Sequence, residues 1–201
     1  MITFGLDTSS DNILMCLIKD GLLCTATSVQ SNHDQISRLT SIVDEFLDPE
    51  SVSLKDINCY AIGIGPGSFS AIRIGVSFVL GLNLLQKAKI ITANTLEVLS
   101  HNHDTQKTFI FHYGGNLCYK LHQNSYSSIS IDDVKNIDGN IITNSKAILD
   151  IAKNAQIQYI SPNAFAGVVL KKLNNREYHQ DIIKPMYIKE PDARISNKCI
   201  I

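Results

Sequence analysis

Short apolar runs separated by turn residues open the chain. Residues 2–8, 12–19 and 22–29 are of strand length and rich in aliphatic and β-branched side chains. Asp20-Gly21 between the second and third is a two-residue hairpin signal, so the three runs predict an antiparallel meander. The period then changes. Ile36, Leu39, Ile42, Val43, Phe46 and Leu47 recur at three- and four-residue steps, one face of a helix over 33–47. Ser31 or Asn32 would cap this helix, and Pro49 follows its end. Residues 59–64 return to strand length, Gly65-Pro66-Gly67-Ser68 is a turn, and residues 70–85 form a second helix, apolar nearly all round, with Arg73 its only charge. A β-branched strand at 89–93 follows, with Asn94 or Thr95 placed to cap a short helix.

The second half carries weaker patterns. Residues 108–113 and 117–122 flank Gly114-Gly115 as a hairpin would. Strands are expected at 127–131 and 140–143, helices at 145–155 and 162–173, and an extended segment at 185–189. No internal repeat is visible in the sequence. Three strands followed by alternating helices and strands predict an α/β fold, a mixed sheet flanked by helices, with the topology of a ribonuclease-H-like lobe. The polar stretch 100–106 marks a boundary between an N-terminal lobe, 1–102, and a smaller, divergent C-terminal lobe, 103–201.

Composition narrows the class. The 201 residues are 44% hydrophobic, enough to build a core and too many for a disordered chain. The net charge of −1 argues against nucleic-acid binding by bulk charge. It hides an asymmetry: residues 1–100 sum to −4 and residues 101–201 to +3. Residues 171–201 hold seven basic and four acidic side chains, which suits a solvated surface. Five cysteines without a C-x-x-C pair fit reduced thiols in a cytoplasm rather than a disulfide frame or a zinc site. The start of the chain lacks a basic n-region and meets Asp7 early, unlike a signal peptide. The most apolar run, 74–85, is too short to span a bilayer. A cytoplasmic protein with no membrane partner is the expectation.

Candidate chemistry gathers in two stretches. Gly63 to Gly75 links a buried strand to a buried helix and offers free N–H groups to an anion. It is neither a Walker A loop, since no Lys-Ser/Thr follows the glycines, nor G-x-G-x-x-G, since Ser68 stands at the last glycine position. A tight turn that packs the helix onto the sheet explains it as well. Asp7, Thr8 and Ser9 at the end of the first strand suit Mg²⁺ and phosphate oxygens, or a turn held by capping side chains. In the second helix, Ser70, Ile74, Ser77 and Gly81 form one small-residue stripe and Ala71, Gly75, Phe78 and Leu82 another. An all-round apolar helix must be covered on all sides, by its own core or by a partner. The histidines form no H-E-x-x-H, so no metal site is expected. Nothing marks a Ser/His/Asp triad, and no catalytic residue is assigned.

Phe4-Gly5-Leu6-Asp7-Thr8-Ser9 and Gly65-Pro66-Gly67-Ser68-Phe69-Ser70-Ala71-Ile72-Arg73-Ile74-Gly75 together resemble the TsaB (YeaZ) family, whose pattern is close to IDTS followed by GPGSFTGLRIG. Pro185-Met186-Tyr187-Ile188-Lys189-Glu190-Pro191-Asp192-Ala193 resembles its ending. The resemblance implies an actin/Hsp70-like pair of ribonuclease-H-like lobes, the second reduced. It implies a role in forming N6-threonylcarbamoyladenosine at position 37 of tRNAs that read codons beginning with A. In that pathway TsaC makes threonylcarbamoyl-adenylate, TsaD transfers the group to tRNA, and TsaE is an ATPase of the complex. The family's member is the non-catalytic partner of TsaD and meets tRNA only indirectly. By the same resemblance the partner surface comprises Ile36, Leu39, Val43, Gly65, Pro66, Gly67, Ser68, Phe69, Arg73, Ile74, Gly75, Phe78 and Gly81. An unpaired apolar face also implies a homodimer when the chain is alone. No cofactor is expected; the alternative is an actin-like ATPase, with ATP or ADP at Asp7, Thr8 and Ser9 or at the partner interface. The usual D-A-R-x-x-E-V-Y of the second lobe is reduced here to its final Tyr119, and the hairpin His112-Tyr113-Gly114-Gly115-Asn116 lacks the carboxylate of a second phosphate loop.

Overall fold

The computed structural model describes residues 1–30, 37–112, 114–179 and 183–186, Leu85 by its backbone alone. The N-terminal meander forms as its pattern requires: β1 (Ile2–Asp7), β2 (Asn12–Lys19) and β3 (Leu22–Gln30) pair antiparallel. Asp20 and Gly21 both take positive φ, the backbone of a hairpin turn whose twist matches its strands. Then come α1 (Leu39–Leu47), β4 (Cys59–Gly63), α2 (Phe69–Gln86), β5 (Lys89–Ala93) and α3 (Thr95–Ser100). Strands β4 and β5 lie parallel to β1, giving the sheet order β3-β2-β1-β4-β5. The caps expected for α1, Ser31 and Asn32, lie outside the described residues, as does Ile36. Asn94 caps α3 in a reciprocal box with Glu97.

The second half builds β6 (Thr108–His112), β7 (Leu117–His122), β8 (Ser125–Ser130), a 3-10 turn (Ile131–Asn136), β9 (Ile141–Thr143), α4 (Lys146–Ile151), β10 (Ala155–Ile157) and α5 (Pro162–Asn174). Its sheet runs β8-β7-β6-β9-β10, the order of the first sheet repeated strand for strand. The repeat that the sequence hides is thus a repeat of topology. The second copy is reduced: a 3-10 turn stands where the first has α1, and the six residues of α4 stand where the first has the eighteen of α2. The helix expected over 145–155 ends at Ile151, and residues 155–157 pair with β9 as a strand instead.

Each sheet is covered on both faces. Ile13, Met15 and Leu17 of β2 meet α1 and α2, while Leu14, Cys16 and Ile18 meet α5. This explains why β2 reads as a continuous apolar run rather than an alternating one. Helix α5 follows the second sheet in sequence yet packs on the first, with Phe165, Val168, Val169 and Leu173 in its core. Ile183 also returns to the first core, and Met186 N donates to Ile64 O at 2.7 Å. The strands of the second sheet lie within 103–201, but part of that segment completes the first lobe. Helix α3 ties the two sheets together, with Val98 in one core and Leu96 and Leu99 in the other.

Candidate functional site

The two sequence stretches that stand out are docked on each other. Strand β1 ends in Asp7, Thr8 and Ser9, all buried at 1%, 3% and 0% exposure. Strand β4 runs into the glycine turn, which turns into α2 with Ser68 as its N-cap. Each of three glycines leaves room for one residue of the triplet. A methyl group on Gly63 would overlap the Asp7 carboxyl, one on Gly67 the Ser9 carbonyl, and one on Gly75 the Thr8 hydroxyl. Gly65 takes φ +83, a conformation that favours glycine.

Hydrogen bonds close the node. Thr8 Oγ1 donates to Ala71 O at 2.6 Å, and Ser68 N donates to Ser9 O at 2.9 Å. Thr95 N donates to Gly65 O at 2.8 Å, and its hydroxyl donates to Pro66 O at 2.7 Å. Ser9 Oγ lies 3.2 Å from Thr95 Oγ1; since the Thr95 proton is already given to Pro66, Ser9 is the donor there. Asp7 Oδ1 accepts from Ser9 N at 2.8 Å. Burial pushes the Asp7 carboxyl above its ordinary value, and the bonds from Ser9 offset this only in part. The side-chain oxygens of the triplet are therefore engaged inside the chain. Thr95 is a member of this node that the sequence marks only as a helix start.

Helix α2 then divides into faces. Ala71, Ile72, Val76 and Val79 are buried in the first core, and Ile74, Phe78 and Leu82 pack against it half-buried. Ser70, Arg73, Ser77, Leu80, Gly81 and Leu84 face outward, Leu84 at 78% exposure. Around Gly81 there is open space, in contrast to Gly75. The Arg73 guanidinium stacks on the Phe69 ring, 3.8 Å from its centroid, so the one charge of the helix folds back on an aromatic face. Asn83 ends the helix: its amide donates to Ala88 O and accepts from Ala88 N, at 3.1 and 2.7 Å.

The expected surface residues thus separate. Leu39 and Val43 of α1 point into the chain's own core, at 3% and 0% exposure, while Asp44 and Glu45 face out. Gly65 and Pro66 are buried, Gly67, Ser68 and Phe69 half-buried, and Arg73 and Gly81 exposed. Leu80 and Leu84, absent from the sequence-based set, form with Gly81 the most apolar part of the outer face. Their signal was an apolar pair at i and i+4 on a helix with no polar face. In the second lobe, His112 bonds to Ser145 Oγ and to Gly115 O, and Asn144 brackets its backbone. No group of three or more His, Cys, Asp or Glu able to hold a metal occurs among the described residues. No helix among them is long and apolar enough to cross a membrane.

Two five-stranded sheets of one strand order, each flanked by helices and the second reduced, define an actin-like fold of paired ribonuclease-H-like lobes. The profile of the family described as TsaD, tRNA N6-adenosine threonylcarbamoyltransferase, matches residues 27–129, just over half of the chain. The Escherichia coli tRNA threonylcarbamoyladenosine biosynthesis protein TsaB is 31% identical over 100 residues, 50% of this chain and 43% of that protein. A tRNA N6-adenosine threonylcarbamoyltransferase of Fusobacterium nucleatum is 23% identical over 113 residues, 48% of this chain and 33% of that one. The crystal structure of a Pseudomonas aeruginosa protein similar to peptidase YEAZ superposes with a TM-score of 0.76 over 94% of this chain and 99% of that one, at 16% identity. The chain belongs to this family, in its TsaB (YeaZ) branch. Its matched region spans less than half the length of these curated relatives.

Proposed function

We propose that this chain is a non-catalytic subunit that pairs with a TsaD-type transferase and supports formation of N6-threonylcarbamoyladenosine at position 37 of tRNAs reading codons that begin with A. The observation that carries this reading is the outer face of α2, where Leu80, Gly81 and Leu84 lie exposed on a helix with one charge in eighteen residues. Such a stripe loses contact with water only when a partner covers it. The partner is a TsaD paralogue, with TsaE joining the larger complex, tRNA held by the assembly rather than by this chain, and the whole acting in the cytoplasm. When alone, the chain self-associates through the same stripe.

The internal use of Asp7, Thr8 and Ser9 supports a scaffold over an ATPase. To hold Mg²⁺ and phosphate, these side chains would have to leave Ala71 O, Thr95 and the glycine turn. The test is co-elution with the same organism's TsaD on a sizing column, followed by a tRNA modification assay with and without this chain. A heterodimer and chain-dependent modification are expected; absence of both overturns the reading.

A further inference from the structure

A cleft of about 350 Å³ lies away from the α2 face, between α3 with its following link, the edge of the second sheet, and the last turns of α5. This is within the range of small-ligand sites. Its floor is apolar: Phe109, Leu121 and Val168 are 2%, 7% and 4% exposed. Tyr126 and His103 stand among the polar side chains of its walls. Tyr126 accepts from Asn94 Nδ2 at 3.0 Å, and no acceptor for its own proton occurs among the described residues. Gln158, which lies outside the lining, donates to Leu99 O at 3.1 Å, and its oxygen accepts from His103 Nε2.

The charges in the wall sort in the same way. Lys172 is spent on Glu97 Oε1 and Thr92 O, at 2.9 and 2.8 Å. Glu177 accepts from the neutral Asn175 amide at 2.9 Å and, like Lys171, forms no ion pair among the described residues. Lys171 forms no ion pair among the described residues, and it lies near His101, whose ring burial and the Lys171 charge hold below its ordinary pKa. An ammonium and a phenolic O–H among the lining of a cleft with an apolar floor match an anionic oxygen group attached to an apolar body.

We propose that this cleft binds a small organic carboxylate, its carboxyl at Lys171 and Tyr126 and its apolar part over Phe109, Leu121 and Val168. The site is independent of the α2 face, since α5 and α2 cover opposite faces of the first sheet. The test titrates the full chain with benzoate, and separately with benzylammonium, a body of like size and opposite charge, while histidine ring resonances are followed by NMR. Benzoate is expected to shift His101 and His103 saturably, and benzylammonium is not. Lys171→Glu should weaken benzoate by about tenfold or more, the worth of a charge-assisted bond. Lys171 is exposed, so an unchanged melting temperature separates lost binding from lost folding, and Lys171→Gln serves if the reversal perturbs the fold. No saturable shift with benzoate, equal binding of both probes, or unchanged affinity in the Lys171 variants overturns the proposal.

Discussion

Thr8 occupies the place that a side chain at residue 75 would need: its hydroxyl donates to Ala71 O at 2.6 Å across the inner surface of α2, against the bare Cα of Gly75. Two glycines on one helix therefore have opposite meanings. Gly75→Leu forces Thr8 out of the node and is expected to cost stability well beyond the roughly 1–3 kcal/mol of a modest overpacking. Gly81→Leu meets open space and should keep or raise the melting temperature, since glycine costs a helix about 1 kcal/mol relative to better formers. Thermal melts of the two variants check this. A Gly75→Leu protein as stable as wild type would show that the Thr8 contact is dispensable.

Thr95 is fully buried and serves two neighbours at once, donating to Pro66 O at 2.7 Å and accepting from Ser9 Oγ at 3.2 Å. Thr95→Val keeps the shape and removes both bonds. The Pro66 carbonyl is left buried without its hydroxyl donor, and Ser9 Oγ keeps only the Asp7 carboxyl, which costs about 1–3 kcal/mol. Urea denaturation should show a lower midpoint with an unchanged slope. Thr95→Ser, which keeps the hydroxyl, should recover most of the loss.

The buried Asp7 carboxyl has its folded pKa raised above the ordinary value of 3.8. Its sign follows from linkage: the folded state holds the proton more tightly than the unfolded one. The contribution is fully present below about 3.8 and is lost as pH rises through the folded value. Asp20 and Asp56 carry lowered values and act in the opposite sense, losing stability as pH falls. The clean measurement is a difference: the melting temperature of Asp7→Asn minus that of wild type, from acid to neutral pH. It should grow with pH, because the amide still accepts from Ser9 N without an ionisation cost. A difference that stays constant from pH 4 to 8 would place the charged form in an environment as favourable as water.

The parts of this fold that were legible in sequence rest on local chemistry. The meander β1–β3, the Asp20-Gly21 turn, α2 and its Asn94-capped successor all follow from period, turn residues and caps. Strand β10 was hidden because Ala155-Gln156-Ile157 has no periodic signature of its own; parallel pairing with β9 defines it. The return of α5 to the first sheet was hidden for a similar reason: the apolar face of Phe165 and Val169 states that the helix is half-buried, not which sheet buries it. At the site, the glycine turn could be read as a turn, but Asp7, Thr8 and Ser9 as its fillers lie about sixty residues away in the chain. The periodic face of Leu39 and Val43 carried the same ambiguity between own core and partner, and the fold spends it on the core.

Leu84, at 78% exposure, and Leu80, at 37%, are therefore the residues on which pairing through α2 should turn. Neither contributes much to the chain's own core, so Leu84→Asp is expected to change folding stability by no more than about 0.5 kcal/mol. In a complex the same carboxylate would be buried without a counter-charge, a penalty of several kcal/mol, enough to weaken association by more than about a thousandfold. On a sizing column with TsaD the variant should elute alone, and tRNA modification should fall to the level without this chain. Asp44→Leu on the outer face of α1 is the matched control: it alters exposed charge near the same side of the sheet without placing a charge on the apolar stripe. If Leu84→Asp pairs normally while Asp44→Leu does not, the contact lies on α1 and the exposed leucines of α2 serve another purpose.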